Sequence, residues 1–192
     1  KILGLDRRRQ LPKLVSKSFL NSFGKDVRTG NERWEQAVVY FVDHFANHHD
    51  PELARAFLAI MRHHDIHVFV PAGQTAAGME MISMGDLIGA RRVAEANLRE
   101  LAEFARDGLP IVCTEPSSAL CLRDDYPLIV QNPDTELVAS RVSDAGAFLL
   151  SLHAEGHLRG DFLELPIRVG YHTPCHTKAL QQGTPYRELL QL

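Results

Sequence analysis

The chain has 192 residues, 45% of them hydrophobic and 23% charged, with a formal net charge of −3. That length can bury one substantial core, and the mild acidity leaves no electrostatic footprint for nucleic acid. No apolar run approaches the roughly 18–20 residues that span a bilayer, and no signal-peptide pattern opens the chain. The three cysteines are too few for a disulfide scaffold, which points to a reducing, cytoplasmic setting.

Residues 1–35 are basic and irregular, with Arg7, Arg8, Arg9, Lys13, Lys17 and Lys25, and read as a solvated linker or arm. Ala37 to Val42 is a continuous apolar run of the kind found in a buried parallel strand. Asp43 to His49 reads as a loop. Asp50-Pro51 then starts a helix to His64, with Leu53, Ala56, Phe57, Ile60 and Met61 at helical spacing. Ile66 to Val70 is a second strand, closed by Pro71.

Gly85-Asp86 opens a long amphipathic helix over Leu87 to Arg106, and Gly108 ends it. Leu109 to Thr114 is a third strand. Pro116 starts a short helix that ends near Tyr126-Pro127, and Asp134 to His153 reads as one further long helix. Strands alternating with helices through short connections predict an α/β fold, a mainly parallel sheet with helices on both faces. In such sheets ligands sit beyond the carboxyl ends of the strands. The unusual loops all fall there: 43–49, 71–85, 113–118 and 172–176.

The last of these carries the most chemistry. A β-branched run ends at Gly170, and Tyr171-His172-Thr-Pro-Cys175-His176 follows. Pro174 suits the first helical position, which would put Cys175 in the first turn. Free N–H groups and the helix dipole favour a thiolate there, suited to metal ligation or redox chemistry. A half-buried cysteine packing as a small hydrophobe fits the spacing equally well. His172 and His176 could ligate metal, tune the thiolate or cap the helix.

Taken together, the loop residues resemble a known family. The matching residues are Tyr40 to Asn47, Val70 to Met79, Gly85-Asp86, Ala90-Arg91 and Asn97. They continue with Cys113 to Leu120, Tyr126-Pro127 and Gly170 to His176. From about residue 36 onward the chain resembles the cysteine-rich CCG domain found in the B subunit of heterodisulfide reductase and in the C subunit of anaerobic glycerol-3-phosphate dehydrogenase. It is most similar to the version at the C-terminal end of FAD-linked oxidases of the D-lactate dehydrogenase type.

The resemblance implies two modules in tandem whose loop cysteines hold an iron–sulfur cluster of 4Fe-4S type. Residues 36–165 would be a first CCG-like module and 166–192 the beginning of a second. Lys1, and Leu189 to Leu192 in what reads as a helix under way, suggest an excerpt from a longer polypeptide. The first module departs from the family pattern. His44 and Ser118 stand where cysteines are usual, and Ala76-Ala77 stand where the Cys-Cys of CCG would be. A methyl group cannot donate electrons to iron, so the loop Gln74 to Met79 cannot ligate as written.

The resemblance therefore implies Cys175 as the retained metal ligand, with His172 and His176 beside it. Gln74, Ala76, Ala77, Gly78, Glu115 and Ser118 would line a remnant cofactor cavity. The cluster would be incomplete in this chain, which alone would be inactive, and FAD would sit on another domain of the parent. The implied partners are flavin and ferredoxin-like domains of the same polypeptide and an electron acceptor, with the protein cytoplasmic or peripheral at the inner membrane. The alternative is a non-catalytic docking module that has lost its cluster.

Other motifs are weaker. His44 and His48, four apart, would share a helix face and could bind zinc, but Asn47 and Asp50-Pro51 favour surface or capping histidines. Cys113 and Cys121 favour packing over chemistry. The loop 71–78 lacks a Walker lysine and dinucleotide spacing, and no Gly-x-Ser-x-Gly elbow supports a hydrolase.

Overall fold

The computed structural model describes residues 6, 8–23 and 36–192. The elements in chain order are α1 (Phe19–Phe23), β1 (Ala37–Phe41), α2 (His44–His48), α3 (Pro51–His63), β2 (His67–Phe69), α4 (Met79–Met84) and α5 (Leu87–Arg106). There follow β3 (Ile111–Cys113), α6 (Pro116–Leu120), a π-helical turn (Cys121–Asp125), α7 (Tyr126–Ile129) and α8 (Pro133–Arg141). The chain continues through β4 (Val142–Asp144), α9 (Ala145–Ala154), α10 (Cys175–Ala179) and α11 (Pro185–Leu189).

The strands form one four-stranded sheet in the order β2-β1-β3-β4, and every pairing is parallel. The expected α/β architecture is therefore present. Successive side chains of a strand face opposite sides, and β1 separates two cores in that way. Val39 and Phe41 pack with Leu98, Leu101, Leu122, Tyr126 and Val138. Val38, Tyr40 and Val42 pack with Phe57, Met61, Ala145 and Leu152 on the other face. Because β1 lies centrally with both faces covered, its sequence carries no charged residue.

The long helix α5 matches its sequence pattern from end to end. Asp86 caps it by accepting from the Gly89 N–H at 2.9 Å, and Ala90, Ala94, Leu98, Leu101 and Ala105 form its buried stripe. Gly85 takes φ +81° immediately before this cap, a conformation that suits glycine.

Several expectations change. The stretch Asp134 to His153 is two helices split by a strand. Val142 leaves helical geometry at φ −80°, ψ 133°, and Val142, Ser143 and Asp144 pair with Ile111, Val112 and Cys113. Asp144 then restarts the helix by accepting from Gly146 N–H at 2.9 Å. A β-branched residue beside an open strand edge gains a ladder there that a continuous helix would forfeit. The loop 43–49 contains the short helix α2. The basic arm is partly docked: Phe19 is buried against Tyr40, and Leu20 N–H donates to Asn47 Oδ1 at 3.0 Å. Lys25 and its neighbours lie outside the described residues.

The β-branched run before Gly170 forms no strand. Leu163, Leu165, Ile167 and Val169 alternate along the segment, yet all are exposed. Pro166 offers no backbone donor, and Ile167 N–H turns back onto Leu165 C=O at 2.7 Å. Beyond it, α10 packs on α6 and α11 packs on α9, so the C-terminal helices rest on the body of the sheet domain.

Truncating Leu101, fully buried between sheet and α5, should cost about 2–5 kcal/mol in Leu101→Ala. Ile88→Ala, at an exposed position of the same helix, should stay within about 0.5 kcal/mol. Urea unfolding midpoints of the two variants check both.

Candidate functional site

In the order β2-β1-β3-β4 the chain leaves β1 toward β2 on one side and later enters β3 on the other. The gap between the carboxyl ends of β1 and β3 is therefore the topological switch point, where α/β sheets bind ligands. Three loops meet there, carrying Asp43, the stretch Pro71 to Gly78, and Thr114 to Ser118.

Asp43 follows the last residues of β1 and is 6% exposed. Its Oδ1 accepts the Ala77 N–H at 3.1 Å, and its Oδ2 accepts a short hydrogen bond from the Ser118 hydroxyl. One carboxylate thus joins the loops after β1, β2 and β3. Glu115 joins two of them again. Its Oε1 accepts from Ala46 N–H at 2.9 Å and its Oε2 from Phe45 N–H at 3.2 Å, capping α2 from across the crevice. Burial pushes the Glu115 carboxyl above its ordinary range, while these two donors pull it down.

The second loop is held residue by residue. Gln74 is buried, accepts from Val42 N–H at 2.7 Å and donates to Pro71 C=O at 3.0 Å. Asn97, fully buried on α5, accepts from Thr75 N–H at 2.8 Å through Oδ1. Its Nδ2 donates to Ala76 C=O at 3.1 Å and to the Tyr126 hydroxyl at 2.9 Å. Tyr126 in turn donates to Ala77 C=O at 2.9 Å. Gly78 adopts φ +87°, and a Cβ there would press on Val93 Cγ1 at 3.3 Å, so this position requires glycine.

The two buried thiols belong to the same block. Cys121 Sγ lies 3.4 Å from Ala77 C=O as a donor, and Cys113 closes β3 with no exposed surface. Burial first, and then the neighbouring carboxylates, push both thiols up and keep them protonated. Both therefore pack, as their sequence setting favours.

The expected residues Gln74, Ala76, Ala77, Gly78, Glu115 and Ser118 are thus brought to one place. Gln74, Glu115 and Ser118 act there through side chains, whereas Ala76 and Ala77 act through backbone groups. His172 and Cys175 are exposed, and His176 is half-buried near Asp125. Pro174 is the N-cap rather than the first helical residue, and Cys175 opens α10. Asp43, Asn97 and Tyr126, which the sequence offers as residues of the family resemblance but not as site residues, join the site. Asn97 does carry a signal: it is the polar residue on the otherwise apolar stripe of α5.

Helix α2 corrects the loop expected around the histidines. It places the His44 ring 5.3 Å from both His48 and His49 by centroid. Burial, then the charges of His44 and His49, lower the His48 pKa. His49 Nδ1 meets the Lys13 C=O at 2.9 Å, so this cluster pins the arm to the domain.

Compared with curated proteins, the chain is 26% identical over 190 residues to the C subunit of anaerobic glycerol-3-phosphate dehydrogenase of Escherichia coli K12. That alignment takes in 98% of this chain and 47% of the relative. It is 27% identical over 175 residues to the B subunit of the fumarate reductase (CoM/CoB) of Methanothermobacter marburgensis, covering 90% of this chain and 33% of that protein. The relatives fit the CCG-domain family. The chain spans less than half the length of these relatives. No family model matches it, and no solved structure matches it significantly.

CCG domains imply an iron–sulfur cluster, and such clusters need several converging thiolates. The loops after β1, β2 and β3 do not fit one. Ala76 and Ala77 supply only amides, Ser118 bonds Asp43, Cys121 bonds Ala77, and Cys113 is sealed within the sheet. Among the described residues no group of three or more His, Cys, Asp and Glu side chains could hold a metal ion.

Two outcomes follow from this geometry. Asn97→Ala removes the side-chain partner of the part-buried Thr75 N–H and Ala76 C=O and one of two bonds of the buried Tyr126 hydroxyl, which keeps Ala77 C=O, and losing such partners costs about 1–3 kcal/mol. Urea unfolding should therefore show a larger loss than for an exposed alanine substitution on α5. The second concerns Asp144, whose carboxyl is raised by burial against the pull of its Gly146, Tyr186 and Ala147 donors. A raised folded pKa favours the protonated native state, so the stability it lends is present in acid. That stability is lost as pH climbs through the raised value. Asp144→Asn cannot ionise, so its stability relative to wild type should rise between about pH 4 and about pH 7. Unfolding midpoints of both proteins across that range check the sign.

Proposed function

We propose that the chain is an electron-transfer portion of an iron–sulfur oxidoreductase. It would work beside a flavin-bearing domain or polypeptide that oxidises a small hydroxy compound, as D-lactate or glycerol-3-phosphate dehydrogenases do. The observation that carries this reading is similarity, at 26% identity over 98% of the chain, to a component of a dehydrogenase. A component of a reductase supports the same class over 90% of the chain.

In this reading residues 36–165 are scaffold and Cys175 is the metal ligand, with His172 and His176 tuning its surroundings. Cys175 suits that role because it is exposed at the start of α10, whereas Cys113 and Cys121 are buried. The remaining ligands would come from elsewhere in the parent polypeptide or from a partner. FAD would be carried outside the described residues, and the acceptor would dock at a cytoplasmic or peripheral membrane site. No helix among the described residues is long and apolar enough to cross a membrane.

A second reading is a docking module without a cluster of its own. The observation favouring it is that Asp43 and Glu115 at the switch point are bonded to the chain's own backbone and to Ser118.

Low-temperature EPR with iron and sulfide counts, on the anaerobically purified parent polypeptide and its Cys175→Ser variant, separates the two. Electron transfer predicts a signal and iron content that fall together in the variant. Identical spectra and iron counts in both proteins would leave the docking module.

A further inference from the structure

We infer that the first module is shut against metals and thiol reagents by its own side chains, and that Asp43 is the residue holding it shut. This rests on the reading of the chain as a CCG-domain relative, and it concerns a part of the fold that reading leaves as bare scaffold.

Ligands of an α/β sheet enter between the loops at the switch point. Here the three loops at that point are bridged by a single buried carboxylate. Asp43 takes one bond from the Ala77 backbone and one from the Ser118 hydroxyl, across 34 and 75 residues of sequence. Directly behind the bridge lie the thiols of Cys121, bonded to Ala77 C=O, and Cys113, both without exposed surface. The Tyr126 hydroxyl closes the same carbonyl from the other side at 2.9 Å.

For a cation or an electrophile to reach either sulfur, the Ala77 loop must move away from β1. That movement takes the buried Ala77 N–H from Asp43, which keeps only its Ser118 bond, and takes the Ala77 C=O from the Tyr126 hydroxyl, which is costly. The alanine methyl groups at positions 76 and 77 offer nothing in exchange. Asp43 thus acts as a latch where the fold would otherwise present an opening. Asp43 is a positioning residue, and no catalytic part is assigned to it.

Iodoacetamide labelling of the purified chain, read by peptide mass spectrometry, tests this. Wild type should label at Cys175 within the assay, with Cys113 and Cys121 reacting only on unfolding. Asp43→Ala should speed Cys121 labelling by about tenfold or more while Cys175 is unchanged, because local opening becomes easier. Asp43→Asn should restore protection, since its carbonyl still accepts from Ala77 N–H. Should Asp43→Ala fail to fold, Ser118→Ala breaks one of the two bonds and should accelerate Cys121 severalfold.

Equal labelling of all three thiols in wild type would overturn the inference. So would unchanged Cys121 kinetics in folded Asp43→Ala, or Ser118→Ala. Protection of Cys113 or Cys121 that appears only after anaerobic addition of ferrous iron and sulfide would overturn it as well. The electron-transfer reading fails separately, through an EPR signal of the parent polypeptide that does not depend on Cys175.

Discussion

Every buried backbone donor at the carboxyl edge of this sheet must find an acceptor, and Asp43 supplies the acceptor on which the others depend. Parallel strands end together, so their loops crowd into one place with amides that no ladder satisfies. Asp43 takes the Ala77 amide and the Ser118 hydroxyl, Gln74 takes the Val42 amide, and Glu115 takes the amides of Phe45 and Ala46. Asn97 and Tyr126 complete the set from α5 and α7. The result is a polar block, satisfied at each of these groups, lying on top of an apolar sheet. Such blocks fix one arrangement of loops because a partly broken network is worse than none.

In this arrangement the loops converge on the switch point and bond one another. Gly78 still permits its tight turn, and the polar side chains still converge on the switch point. What converges is complementary to the chain's own backbone. The neighbouring thiols are held neutral by burial and by the carboxylates beside them. The exposed thiol at α10 stands in a different setting, with one half-buried and one exposed histidine near it in sequence. The proposed division between an α/β scaffold and a C-terminal metal-ligating part accommodates both the similarity to oxidoreductase components and the alanines at positions 76 and 77.

Much of the framework is legible in the sequence because its signals are local. Ala37 to Val42 is apolar throughout, and α5 carries its cap, its stripe and its terminating Gly108 within one window. Where the outcome depends on distant partners, the sequence misleads. Residues 134–153 have helical character, and only the open edge of β3 turns Val142 to Asp144 into a strand. Asp43 reads locally as the start of a loop, yet its bonds reach Ala77 and Ser118, 34 and 75 positions away. The alternating run Leu163 to Val169 has strand character and no neighbouring strand, so its pattern goes unfulfilled. The loops of the site are legible as a group; which atoms they offer to one another is not.

The central claim is that the switch-point crevice is closed by the chain's own hydrogen bonds. Amide hydrogen exchange of the native chain, resolved to single residues, tests it most directly. The account predicts that the Ala77, Phe45 and Ala46 amides exchange as slowly as core amides of β1, while amides of residues 163–169 exchange quickly. Rapid exchange at Ala77, comparable to that exposed segment, would show an open crevice and contradict the account.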